Sequence, residues 1–442
     1  MKWLIDREAR KRAEVRDREA RPKQAPFSER GVAVIAVSVA IVMIATMSVE
    51  FGTNTNIDTI AAANARDNVR THFLARSGMN LTQMMIRFQT DILDKNEFTK
   101  GVQFADYAPM FMALFGGSPE EVQGYSALLG AAQGETIKGL GVSAGEFTVE
   151  ITTEDAKINV NCATGNDQKT LKAKIDSLIY FEAFDPLFAE PAADGWQRTR
   201  DEQATAIVDY IDPSNGRYGA PGASEDYGYE SQSDKYKSKD YDIDTVLELR
   251  QVRGVDDRFW TLFGDQFTAY GDCQVNLSAV RDVKLIAAII SLSAQNDDDP
   301  VVRDPIKLWR LATVVSEAAS FGLPFNELKD FRDFVRNPLE AIGGMVGLGG
   351  DDAAQAAGAA GLGGALDNLA DVEGVQLSDD KLKQVARTGA RRTYRAEVTA
   401  HVGPKSRRFV KRMIGIWDAK TTNQNPRNPA DTEGTWVYWK EE

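Results

Sequence analysis

Residues 32–49 read VAVIAVSVAIVMIATMSV, a run without a charge or a proline. At 1.5 Å rise per residue this makes about 27 Å of helix, close to the hydrocarbon thickness of a bilayer. The run is apolar all round, whereas an amphipathic core helix carries a polar face. A secretory signal peptide would have a shorter apolar stretch followed by a small-x-small cleavage site. The segment therefore reads as one membrane-spanning helix. Residues 1–31 hold ten Lys and Arg against six Asp and Glu. A positive excess before an apolar run keeps that end in the cytoplasm, so everything after Glu50 lies outside it.

The helical rhythm continues past the apolar run. Phe51, Ile60, Val69, Phe73, Leu74, Met79, Leu81 and Met84 recur among polar residues up to Gln89, and no proline stands between Pro26 and Pro109. One long helix, half in lipid and half packed on a domain, accounts for this pattern. Gly52 and Gly78 are expected to soften it.

A chain of 442 residues exceeds what one compact core usually holds. The formal net charge of −13 repels phosphate backbones and argues against nucleic acid as a partner. With only His72 and His401, histidine-based metal or acid–base chemistry has little to work with. No Cys-x-x-Cys pair, nucleophile elbow, P-loop or zincin motif occurs, and no enzyme activity is expected.

Strands are predicted at 146–152, where Phe147, Val149 and Ile151 alternate with polar residues, and at 394–401 and 408–417, with a short edge strand at 435–439. Gly403-Pro404 breaks between the second and third. Between the first strand and the rest lie helical patterns at 168–183, 200–210, 244–252, 280–295, 305–320 and 328–335. Strands flanking a helical middle predict an α+β fold: a sheet with a helical domain inserted into it. A near-repeat, Lys157-Ile158-Asn159-Val160-Asn161 and Gln274-Val275-Asn276-Leu277, precedes each group of helices, with asparagines suited to capping turns. In residues 341–366, 17 of 26 residues are Gly or Ala, which predicts a flexible insertion.

Arg30-Gly31 followed by Val32-Ala33-Val34-Ile35-Ala36 resembles the start of a type IV prepilin. That resemblance implies cleavage by a prepilin peptidase between Gly31 and Val32, and a helix that serves first as an anchor and later as a filament core. Most pilins carry glutamate as the fifth mature residue; here it is Ala36. A buried carboxylate without a partner is costly, and a subunit with none ahead of it does not need one. The missing glutamate is a habit of the minor pseudopilin K of the type II secretion system, the general secretion pathway protein K family.

Further stretches resemble that family in order: residues 157–161, Val208-Asp209-Tyr210-Ile211-Asp212, the acidic loop 222–229, the 246–254 stretch, Val275-Asn276-Leu277 and the helix at 325–334. The resemblance implies a type IV pilin-like fold and a place at the tip of a pseudopilus. It also implies assembly with two other minor pseudopilins (I-like and J-like), an inner-membrane assembly platform and a periplasmic C-terminal domain on a single-pass anchor. The expected domain layout is a leader at 1–31, the N-terminal helix at 32–89, a first pilin part at 90–164, the helical domain at 165–337, the Gly/Ala insertion at 338–375 and the last strands at 376–442; the resemblance covers neither the long leader nor the insertion. A tip or minor pilin of a type IV pilus, or an anchored periplasmic protein of another class, are the alternatives.

Two sites stand out. Residues 212–244 hold eight Asp and Glu, including Glu230 and Asp234, in a stretch with glycines and serines, the chemistry of a calcium loop. Asp240-x-Asp242-x-Asp244 is not an EF-hand, because Thr245 stands where its glycine belongs. A solvated acidic loop, with Asp244 capping the next helix, is the other reading. The family resemblance implies calcium in the helical domain, with Glu225 and Asp226 as the first candidates and Asp240 and Asp242 as weaker ones. Cys162 and Cys273 adjoin the two asparagine stretches and are either a disulfide, which the compartment permits, or two buried thiols. The run Asp297-Asp298-Asp299 reads as a solvated loop, and the helix–hairpin–helix-like 247–254 turn as structural.

Overall fold

The computed structural model describes residues 2–19, 29–96, 99, 103–117, 145–220, 222–226, 228–229, 236–320, 325–341, 372–403, 408–419 and 434–442. Apart from Ala341, the Gly/Ala-rich stretch 341–366 lies outside them, as do Tyr227, Glu230, Asp234 and Pro404.

The chain divides into two compact units, Met1–Arg70 and Thr71–Glu442. The first contains α1 (Lys2–Glu19) and most of α2 (Glu29–Phe88). Every residue from 31 to 62 is exposed. The helix is long and apolar enough to cross a membrane, with a mean hydropathy of 2.6 over its best 18-residue window. Two of the three hydroxyls in its apolar part bond to their own backbone: Ser38 Oγ donates to the Val34 carbonyl at 2.8 Å and Thr46 Oγ1 to that of Met43 at 2.9 Å. This satisfies both without water.

In the second unit α2 ends as predicted near residue 89, running into a π turn at Gln89–Leu93. Ala75, Met79, Thr82 and Ile86 are each at most 1% exposed, a spacing of four, three and four that fixes one helical face. That face packs on a four-stranded antiparallel sheet of order β1-β6-β7-β8, comprising β1 (Glu146–Thr153), β6 (Thr393–Val402), β7 (Phe409–Asp418) and β8 (Thr435–Glu441). The predicted strands fall within two residues of these bounds. Phe147, Val149 and Ile151 point into the core with Ala396, Val398 and Ala400 of β6. A Cβ on Gly78 would sit 2.6 Å from Val398 Cγ1. This glycine therefore serves close helix–sheet approach, whereas Gly52 has open space around it. A short helix, α3 (Ala108–Gly116), packs against β1; its residues carry no clear periodic signal.

Between β1 and β6 the chain leaves the sheet to build a second core. Its helices are α4 (Gly165–Leu178), α5 (Asp185–Ala189), α6 (Arg200–Ile211), α7 (Asp257–Phe263), α8 (Val283–Ser293), α9 (Pro300–Arg303), α10 (Pro305–Ser320), α11 (Leu328–Arg336) and α12 (Asp379–Val385). Helix α8 is central: Leu285, Ile286, Ala287, Ala288, Ile289 and Ile290 are all at most 1% exposed. The helix predicted at 244–252 is instead a 3-10 helix, Val246–Gln251. Asp244 does not cap it. The Glu248 carboxylate accepts the N–H groups of Asp244 at 2.7 Å and Thr245 at 3.0 Å, so the cap forms one residue later.

Two parallel strand pairs tie this domain together: β2 (Ile158–Asn159) with β3 (Phe267–Thr268), and β4 (Val275–Asn276) with β5 (Ala386–Arg387). The asparagine near-repeat explains them. Asn159 Nδ2 donates to the Gly271 carbonyl at 2.8 Å while its Oδ1 accepts the Asn161 N–H at 3.0 Å. Asn276 repeats the arrangement with the Gly389 carbonyl at 2.9 Å and the Ser278 N–H at 3.1 Å. Each asparagine closes its own turn and fastens the segment just after the partner strand. The result is an α+β fold: a long N-terminal helix, a four-stranded antiparallel sheet and an inserted helical domain.

Candidate functional site

The acidic loop is set by the C-terminal end of α6. The last turn of this helix buries Asp209, and Asp212 follows it; they are 6% and 8% exposed. Glu225, 7% exposed, reaches the same spot from a loop closed by a bridge between Gly216 and Ser224. Asp240 arrives from the other side, its N–H bonded to the Tyr210 carbonyl at 3.1 Å and its φ at +50°, a left-handed conformation uncommon outside glycine. Ser214 Oγ joins the group, 3.0 Å from Asp212 Oδ2 and 3.3 Å from Glu225 Oε1. Tyr218 N–H donates to Asp209 Oδ1 at 2.9 Å, and Gln168 Nε2 donates to Asp212.

Four carboxyl groups thus converge. Burial first, then the neighbouring charges of Asp209 and Asp240, push Glu225 up to about 8. Burial likewise pushes Asp209 up to about 6. Glu225 Oε2 and Asp240 Oδ1 are buried with no hydrogen-bond partner among the described residues. Such oxygens are expensive unless something supplies positive charge.

Of the four residues singled out in the sequence, Glu225 and Asp240 belong to this cluster. Asp226 and Asp242 do not. Burial raises the Asp226 pKa, but Lys237 at 3.2 Å and the Ser238 N–H and hydroxyl, both at 3.2 Å, outweigh it and hold that carboxyl below its usual range. Asp242 is exposed. Asp209 and Asp212 take their places, two residues that the sequence shows as part of the Val208–Asp212 stretch but not as ligands. All the donors are oxygens, the set a hard cation takes. Among the described residues no group of three or more His, Cys, Asp or Glu side chains is placed to hold a metal ion.

The cysteines form a disulfide, Cys162–Cys273, with Cα atoms 5.6 Å apart. It sits just beyond the β2–β3 pair. Asp297, Asp298 and Asp299 lie at the surface as a loop, with Asp299 capping α9 through the Val301 N–H at 2.9 Å. Gly31, Val32 and Ala36 all lie in α2, exposed.

No family model and no curated protein matches the chain. Among solved structures it is similar to a chain in the crystal structure of the GspK-GspI-GspJ complex from the type 2 secretion system of enterotoxigenic Escherichia coli. The identity is 12% and the TM-score 0.47, over 86% of this chain and 99% of that one.

Proposed function

We propose that this protein is a minor pseudopilin at the tip of a type II secretion pseudopilus, where it initiates or caps the filament that exports folded proteins across the outer membrane. The observation that carries this reading is a single helix, exposed and apolar at its start, whose C-terminal part packs on an antiparallel sheet that bears a bulky inserted domain. The motif order of the sequence supports the same reading. The work is mechanical and not catalytic. The protein is held in the inner membrane by 32–49 with its large C-terminal unit in the periplasm. Its partners are I-like and J-like minor pseudopilins and the inner-membrane assembly platform, and a prepilin peptidase cuts between Gly31 and Val32. Ala36 suits a foremost position.

Mapping the mature N-terminus tests the reading. Val32 is expected at the N-terminus only when the prepilin peptidase is co-expressed, and Gly31→Leu is expected to leave the leader attached. Co-purification with candidate minor pseudopilins should follow processing. An intact leader in the assembled protein, or no partner recovered, would sink the proposal.

We also propose that Asp209, Asp212, Glu225 and Asp240 hold calcium, with Ser214 beside them. Calcium would supply the charge that neutralises the cluster. Without it, the folded state holds the protons on Glu225 and Asp209 more tightly than the unfolded chain, whose carboxyls titrate near 4.5 and 3.8. The contribution of these two groups to stability is then full below about pH 3.8 and is lost as pH rises toward about 8. Calcium is expected to raise the melting temperature clearly at about pH 8 and little at about pH 5. Saturation at a hundredfold excess over Kd corresponds to about 2.7 kcal/mol. Glu225→Gln is expected to flatten the pH dependence and abolish the calcium shift. Equal calcium shifts at both pH values, or none, would rule the site out.

A further inference from the structure

A second region does not belong to the acidic cluster. A groove of about 1030 Å³ runs between α4 and α12, floored by the disulfide and by Asp272 and Gln274. In a chain of net charge −13 its walls are basic: Lys169, Lys174, Lys381 and Arg387 face Asp167 and Asp272. Asp272 is already committed, 3.1 Å from Arg387 Nε and 2.7 Å from Arg392 Nη1. Lys381 is held at the rim by Asp297 at 2.8 Å.

Lys174 is different. It is only 3% exposed, and its ammonium donates to the Cys273 carbonyl. A carbonyl offers a dipole and not a charge, so the cation is buried without a salt bridge among the described residues. Burial draws its pKa down to about 8, against the weaker pull of Asp167. Around it Asn166, Thr170 and Gln384 offer amides and a hydroxyl of the kind that bond an extended backbone. A small-molecule pocket usually carries few polar groups, whereas this groove sets Lys169, Lys174, Lys381 and Arg387 among its apolar side chains.

We propose that the groove docks an acidic peptide segment of a partner protein, with one carboxylate seated on Lys174 and another near Lys169. Charge complementarity identifies the occupant: a buried lysine has no salt-bridge partner among the described residues, and a carboxylate on a backbone that can use the flanking amides supplies one. The groove needs neither a place at a filament tip nor a filled calcium site to bind such a segment.

The test is fluorescence anisotropy on the detergent-solubilised full chain, with a short labelled peptide alternating Glu and Ala and a control in which Gln replaces Glu. At about 0.1 M salt, where surface attraction is screened beyond roughly 10 Å, the acidic peptide is expected to bind saturably and at least about tenfold more tightly than the control. Lys174→Met is expected to weaken it by about tenfold and Lys169→Glu by several-fold, with Lys440→Glu, on β8, inert. Lys169 is exposed, so its variant tests the groove even if Lys174→Met fails to fold. Equal affinity for the two peptides, indifference to Lys169→Glu, or equal loss in Lys440→Glu would overturn the proposal. So would vesicles of phosphatidylglycerol competing for the groove with the same Lys169 dependence, since that would make a lipid surface the occupant.

Discussion

Replacing Cys162 and Cys273 together by alanine is expected to lower the stability of the helical domain by about 4–5 kcal/mol. The bond closes a loop with a sequence separation of 111. Cross-linking that many residues removes entropy from the unfolded chain, and loops near this length are worth about 4.7 kcal/mol in the chain-entropy model. Inside the loop lie α4 to α7, which contribute Leu171, Ile175, Ile207, Val208, Phe259 and Phe263 to the core. The two-residue pair β2–β3 ties off the same segment but supplies few hydrogen bonds to hold it alone. For a unit of this size the loss corresponds to a fall in melting temperature of about 10 °C. Thermal melts with and without reductant measure it. Wild type is expected to fall on reduction to the level of the double variant, which itself ignores reductant. A loss below about 1 kcal/mol would mean that the strand pair and the packed helices fix the loop unaided.

What could be read from the sequence, and what could not, divides by range. Periodic segments are plain: the apolar run, the alternating Phe147-Val149-Ile151, and α10 at its predicted bounds. These patterns are local, written within a few turns or pleats. The 3-10 turn at Val246–Gln251 looks like an α-helix because Val246, Leu249 and Val252 recur every third residue, a spacing the two helix types share over so short a run. Short parallel strands such as β4–β5 carry too few residues for a pattern, so the sequence leaves the cysteines beside them undecided between disulfide and thiols. The acidic site is half legible. Glu225 and Asp240 stand in an irregular loop rich in carboxylates, the visible signal. Asp209 lies on a helix whose neighbours are apolar, and its burial depends on a loop folding back from a dozen or more residues downstream.

The greatest loss from a single residue is expected at Asp155, which joins the two cores. Its side chain lies just after β1 and is fully buried. One oxygen accepts the N–H groups of Arg392 and of Thr393, the latter at 3.3 Å, and lies 3.2 Å from Arg387 Nη2. Burial raises its pKa even so, against the pull of the Arg392 N–H and the Arg387 charge. Arg387 belongs to β5 in the helical domain, and Thr393 begins β6 in the sheet. Arg392 continues the link, bonding Asp272 at 2.7 Å and Asp418 of β7 at 3.0 Å. Asp155→Ala removes the acceptor and leaves Arg387 facing a buried void, a change that costs about 3–5 kcal/mol when a buried pair loses one member. Asp155→Asn keeps an oxygen for the two N–H groups and loses only the charge, so its cost is expected to be nearer 1–2 kcal/mol. Denaturant melts of both variants, followed by the fluorescence of Trp417 in the sheet core and Trp309 in the helical domain, separate two outcomes. One shared transition at lower denaturant means that Asp155 couples the cores. Two transitions, with only the Trp309 signal shifted, would mean that each core stands alone and that the inserted domain is carried by the sheet without being braced against it.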